Sequence, residues 1–223
     1  MDSSFLSTFA ATLFALLNPL GVLPVFIGYV AKERTGVQRF VALLLSLTVL
    51  GLLILFLTTG AALLRFFGID LDSFRIAGGI LLLLIGIGLV MGDQNQKKTV
   101  ASEETQSDWQ QAKSVYRGIV IPLAMPLLVG PGVIANVILY ANEVEAKPHD
   151  GPYGGLALVC IGVSFLVLIV LLSGQWLKRF LGDVGLSIAT RILGLLVASM
   201  GVQFMTSGVT NIIVHTIAPQ IPK

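Results

Sequence analysis

An all-α membrane protein is the fold class this sequence predicts. The expected architecture is six transmembrane helices in two inverted three-helix repeats, with helices one and four broken or kinked at Pro and Gly. Three observations lead there. Of 223 residues, 55% are apolar and 12% charged, with a mean hydropathy of +0.91; a soluble domain carries about 25% charged residues to cover its surface. The apolar residues fall in long solid runs. The two halves of the chain carry the same Pro/Gly and Arg motifs in the same order. Composition also excludes a disordered chain, a coiled coil and a basic nucleic-acid-binding domain, so no nucleic-acid partner is expected.

A spanning helix needs about 20 apolar residues. Six runs are long enough: Phe5 to Val30, Val41 to Leu64, Phe74 to Met91, Val115 to Ala141, Gly154 to Leu177 and Ile192 to Val214. Almost none shows a polar face, which argues against buried helices of a soluble protein. The runs do not alternate as the strands of a membrane barrel would. No Lys or Arg precedes the first run, so it does not read as a secretory signal and is expected to be retained. The single cysteine, Cys160, excludes an internal disulfide and a Cys-based metal site.

Lys and Arg placement sets orientation. The loops after runs one, three and five hold Lys32, Arg34, Arg39, Lys97, Lys98, Lys113, Arg117, Lys178, Arg179 and Arg191; the other side holds Arg65, Arg75, Lys147 and Lys223. The basic side is expected in the cytoplasm, which places both termini in the periplasm. The polar stretch from Gly92 to Ser114 reads as a cytoplasmic linker. It divides a first repeat, residues 1–91, from a second, residues 115–223, within one membrane domain.

Aligning Pro19 with Pro126 also aligns Leu20 with Leu127 and Pro24 with Pro131. Arg75-Ile76-Ala77-Gly78 opens run three and Arg191-Ile192-Leu193-Gly194 opens run six, while Phe67-Gly68 and Leu181-Gly182 precede them. Each half has an odd number of spans, so the second enters the membrane inverted, the plan of many secondary transporters.

Proline removes a backbone donor and clashes with the preceding turn. Asn18-Pro19-Leu20-Gly21 with Pro24 should open run one near mid-membrane. Pro126 with Gly130-Pro131-Gly132 should do the same in run four. The freed backbone groups have to face protein or a wet cavity rather than lipid. Pro24 and Pro131 are each expected in the first turn of a restarted half-helix, aiming free N–H groups and a positive dipole end at the cavity. Arg75 and Arg191 either snorkel to headgroups or flank that cavity from opposite sides. In the second case the site would prefer an anionic group such as a carboxylate or phosphate.

Asn136 and Gln203 are the other polar side chains well inside runs four and six, and no intramembrane Asp or Glu offers a proton relay. His215 reads as interfacial, and Trp176 beside Lys178 and Arg179 as an interfacial anchor. The small residues of runs three and six, including a GxxxG from Gly88 to Gly92, mark these as the central packing helices. Runs two and five, rich in Leu, Ile and Val, are expected to face lipid.

The segments NPLG in run one, FRIAGGILL in run three, PLAMPLLVGPG in run four, and RILGLL with MGVQF in run six resemble the MarC family of bacterial inner-membrane proteins. The resemblance covers nearly the whole chain outside the linker. It implies kinship with the LysE-type exporter superfamily and a bacterial inner-membrane location. It also implies movement of a small solute, of unassigned identity, through motif positions Asn18, Pro19, Gly21, Pro24, Arg75, Gly78, Gly79, Pro122, Pro126, Gly130, Pro131, Gly132, Arg191, Gly194 and Gln203.

The expected function is therefore small-solute transport or export by alternating access, with membrane lipid and a small solute as partners, no cofactor or metal, and a homo-oligomer left open. The substrate-binding set is Asn18, Pro19, Gly21, Pro24, Arg75, Pro126, Gly130, Pro131, Gly132, Arg191 and Gln203. A non-transporting scaffold or regulator, acting through the linker, is the alternative. An intramembrane enzyme is not expected, since no HExxH, GxSxG, paired aspartates or Cys–His arrangement appears.

Overall fold

The computed structural model describes residues 3–91, 107–146 and 153–214, which are helical almost throughout. Eight helices follow in order: α1 (Ser3–Leu17), α2 (Pro19–Val30), α3 (Thr35–Phe66), α4 (Leu71–Met91), α5 (Asp108–Pro122), α6 (Pro131–Ala146), α7 (Tyr153–Leu172) and α8 (Gly174–Ile212). Residues Leu123–Leu128 form a wide π-type turn between α5 and α6. Five continuous or gently bent stretches are long and apolar enough to cross a membrane. The pair Asp108–Leu128 and Pro131–Val144, bent by 56°, makes a sixth if it is one span.

Both interruptions have a local cause in proline. The residue before a proline is pushed out of the α region. Ile121 (φ −108°, ψ 111°) and Met125 (φ −141°, ψ 125°), each followed by proline, are accordingly extended. The Val129 N–H then reaches back five residues to the Ala124 carbonyl at 2.8 Å. In the first half Asn18, which precedes Pro19, adopts the left-handed conformation at φ 43°, ψ 55°. Asparagine is among the few side chains that tolerate this, because its short amide can bond locally. Pro19 begins α2 at a position where a missing N–H costs nothing. Pro24 does not restart a helix as expected; it lies inside α2, while Pro131 does open α6.

Helix α1 lies deep in the bundle. Phe9, Leu13 and Leu17 are fully buried, and the rings of Phe5 and Phe9 pack on Tyr140 of α6 with centroids 5.1 and 4.7 Å apart. In α3 the stripe Val37, Val41, Leu45, Val49 and Leu53 is fully buried, so one face of run two is core rather than lipid-facing throughout. Helices α4 and α8 pack on each other through glycine. A Cβ on Gly79 would stand 2.6 Å from the Gly201 carbonyl oxygen, and one on Gly86 would stand 2.4 Å from the Ala198 nitrogen. This pair is not central, contrary to expectation. Only 28% and 22% of the most apolar windows of α4 and α8 are buried, against 50% for the span formed by α1 and α2. Gly88 meets nothing within 4 Å, and Gly92 lies outside the described residues.

Three boundaries move. Helix α3 starts at Thr35, a turn and a half before Val41. Ser107 caps α5, its Oγ accepting the Gln110 N–H at 3.4 Å, so the last part of the expected linker is helical; residues 92–106 lie outside the described residues, as does His215. Arg191 sits within α8 rather than at its mouth. The true interruption there is Gly182, at φ 63° and ψ −178°, a conformation that glycine alone adopts cheaply.

Candidate functional site

The two chain breaks meet. Between them lies a small cavity of about 30 Å³, room for a water molecule or two rather than for a solute. Helices α1 and α2 contribute Leu16, Asn18, Gly21 and Val22. The second break contributes Pro126, Leu127, Gly130, Gly132 and Val133, while α4 closes the cavity with Leu82 and α8 with Val197, Met200 and Phe204.

The glycines at the breaks hold this geometry. The Asn18 Oδ1 accepts the Gly21 N–H at 3.2 Å, capping α2, and a Cβ on Gly21 would lie 2.4 Å from the Asn18 Nδ2. A Cβ on Gly130 would lie 2.7 Å from the Pro126 carbonyl oxygen, and one on Gly132 would strike the Phe204 ring at 2.2 Å. The first turns of α2 and α6 both border the cavity. Their aligned peptide dipoles give it a positive partial potential.

Five of the eleven residues expected at the site therefore come together: Asn18, Gly21, Pro126, Gly130 and Gly132. The other six do not line the cavity. Pro19 and Pro24 are buried in α2. Pro131 is buried, its ring where a Cβ on Gly78 would fall, 2.2 Å away. Arg75 forms an ion pair with Asp72 at 3.1 Å near the start of α4, and the same Asp72 oxygen accepts the Asn211 amide at 3.1 Å. Arg191 and Gln203 are exposed on α8. The cavity wall thus carries no charged side chain, because both arginines are placed elsewhere. Sequence reasoning missed Leu16, Val22, Leu82, Leu127, Val133, Val197, Met200 and Phe204, whose types are indistinguishable from ordinary core or lipid-facing residues.

Polar networks tie both ends of the bundle. At one end Arg34 pairs with Asp108 at 3.0 Å and donates to the Gln111 Oε1 at 2.9 Å. Gln111, itself buried, donates to Glu33 at 2.5 Å, and Lys178 donates to the Ala31 carbonyl at 2.6 Å. At the other end stands the Arg75–Asp72–Asn211 cluster. Between α3 and α4 the exposed Asp70 accepts the Ser73 N–H and Oγ at 2.7 and 2.6 Å. These hydrogen bonds hold its carboxyl below the ordinary 3.8. Among the described residues no cluster of His, Cys, Asp and Glu could hold a metal ion. The side-chain oxygen of Asn136 is buried without a hydrogen-bond partner, as are the hydroxyls of Ser46 and Ser164.

Long apolar helices, two of them interrupted around an internal cavity, define an integral multi-pass membrane protein. The family model for MarC family integral membrane proteins matches residues 3–213. Similar proteins include a UPF0056 membrane protein of Pyrococcus abyssi, 36% identical over 92% of this chain and 95% of its own length. The UPF0056 membrane protein YhcE of Escherichia coli is 32% identical over 90% and 89%, and that of Aquifex aeolicus is 35% identical over 92% of each. The chain belongs to the MarC family. No solved structure matches it.

Proposed function

We propose that this protein is a small-solute transporter that works by alternating access and binds its cargo between the two breaks, where the small cavity of this closed arrangement widens as either end opens. The observation that carries the proposal is the cavity itself, bordered by the first turns of α2 and α6 and walled by the middles of α4 and α8. Unwound or interrupted backbone is tolerated inside a membrane where it lines such a space. The networks at the two ends of the bundle then act as latches that open in turn.

An inverted repeat underlies the mechanism. The Gly79–Gly201 and Gly86–Gly194 contacts exchange under a two-fold that pairs Gly79 with Gly194 and Gly86 with Gly201, both 115 positions apart. Gly68 and Gly182, at φ 65° and 63°, occupy corresponding turns. Arg75 and Arg191 are 116 apart. One residue out of register is a rotation of about 100° on a helix, which accounts for one arginine being half-buried and the other exposed. The basic loops place the Arg34–Asp108 end in the cytoplasm and both termini on the opposite side; in a bacterial cell the membrane is the inner one.

The cargo is a small, largely apolar solute with one polar or singly anionic head. The apolar wall takes its body, and Asn18 with the helix first turns takes the head. Comparing metabolites in cells with and without the protein should reveal one solute that changes. Val197→Trp, which fills the cavity, should reproduce the deletion. Leu196→Trp, on the exposed face one position away, should not. Identical behaviour of the two variants would defeat the proposal.

A further inference from the structure

Gln203 stands on the exposed face of α8, nine residues before the helix ends at Ile212. The span Val184–Ile212, about 43 Å long, exceeds a hydrocarbon core of about 30 Å, so with the span centred in the bilayer Gln203 lies about 7 Å inside the hydrocarbon, deeper than so short a side chain spans. The exposed residues nearest Gln203 on α8 are Leu196 and the hydroxyls Ser199, Thr206, Ser207 and Thr210, with Leu195, Val202 and Val209 to one side, and none of them bears a charge. An amide left in hydrocarbon without a partner costs several kcal/mol. Something other than lipid therefore covers this face.

We infer that it is a second copy of this chain, with α8 packed on α8 and the Gln203 amides hydrogen-bonded to each other. Two arguments select that occupant. Copies inserted with the same orientation are related by a two-fold along the membrane normal, so each residue meets its own equivalent at equal depth. A side chain at such an axis has to be self-complementary. A carboxamide is, since it both donates and accepts, whereas a lone charge is not. The neighbouring hydroxyls suit the same arrangement. Ser199 and Thr206, one turn to either side, donate back to Leu195 and Val202 at 2.9 Å each, which leaves their oxygens free to accept from the facing helix. Helix α8, the least buried span, has this face to give without disturbing the cavity.

Cysteine cross-linking in native membranes tests the inference. In a Cys160→Ser background, Gln203→Cys should form an oxidant-induced dimer of twice the chain mass. Phe165→Cys, on the exposed face of α7, should not. Failure of Gln203→Cys to cross-link above the Phe165→Cys level, or a product of any other mass, would overturn the inference. Gln203→Leu offers a measurement independent of cysteine. Subunit counting in lipid nanodiscs should find association weakened roughly three- to twentyfold, the range for one interhelical hydrogen bond. An unchanged dimer fraction would refute the role of the amide. None of these readouts depends on transport, so they stand or fall apart from the function proposed above.

Discussion

Asn18 performs two tasks that can be separated by mutation. It accepts a left-handed backbone at φ 43°, and its amide oxygen caps α2 by accepting the Gly21 N–H at 3.2 Å. Alanine loses both. The cap is worth about 1 kcal/mol; alanine keeps the Cβ whose left-handed cost is about 1–2 but loses the local hydrogen bonding by which asparagine offsets part of it, so Asn18→Ala should destabilise by about 1–2 kcal/mol. Asn18→Gly loses the cap but relieves the backbone, and should cost less than half as much. Gly21→Ala probes the same contact from the other side. Its Cβ would lie 2.4, 2.8 and 2.9 Å from the Asn18 amide nitrogen, carbon and oxygen, so the amide would have to swing away and the cap would break. In the Asn18→Gly background those three atoms are gone. The same alanine should then stabilise, by up to about 1 kcal/mol from helix propensity alone. The expected coupling energy is about 1–2 kcal/mol. The assay is SDS-titrated unfolding of the four purified proteins in mixed micelles. A Gly21→Ala effect equal in both backgrounds, within about 0.5 kcal/mol, would refute the assignment.

Two further outcomes follow from the same kind of measurement. Gly86→Ala should cost about 1–3 kcal/mol, because its Cβ would meet backbone atoms of Gly194 and Ala198 that have no room to yield; Gly88→Ala, with nothing within 4 Å, should be neutral or mildly stabilising, and equal costs would contradict the packing described. The Asp70 carboxyl, held below its ordinary 3.8 by Ser73, should stabilise the fold fully above that value and lose its effect as pH falls through the depressed one, so the gap in melting temperature between wild type and Asp70→Ala should be flat at neutral pH and close in acid; a gap that widens in acid would contradict the sign.

The chain breaks were legible because proline and its preceding residue act locally. Pro122, Pro126 and Pro131 disrupt run four whatever surrounds them, and Asn18-Pro19 does so in run one. The same local rule did not distinguish Pro19 from Pro24. Either could begin a helix, and the choice rests on which preceding residue accepts the left-handed turn, a task suited to Asn18 and unsuited to Leu23. The apolar half of the cavity wall was not legible. Leu82, Val197 and Phe204 carry no mark that separates a cavity-facing residue from a lipid-facing one, since both environments are apolar. For the same reason the rank of helices from centre to edge was misjudged. Small residues mean close approach of two helices, as Gly79 and Gly86 confirm, but a tightly packed pair can still lie at the edge of a bundle.

The placement of Arg75 and Arg191 bears on what the cavity can carry. A guanidinium inside it would favour a phosphate or other strongly charged solute. Its absence leaves two helix first turns and one amide. A helix terminus contributes about 0.3–1 kcal/mol to an anion, and about 2 in a favourable partly buried geometry. Desolvating a full charge costs several kcal/mol even after the protein relaxes. Two termini and the Asn18 amide can therefore hold one anionic charge near break-even, while a dianion remains several kcal/mol uphill. Burial of an apolar solute body, at about 25 cal/mol per Å², has to supply the rest. On the transport reading this orders the solutes: apolar acids and neutral polar compounds before phosphates.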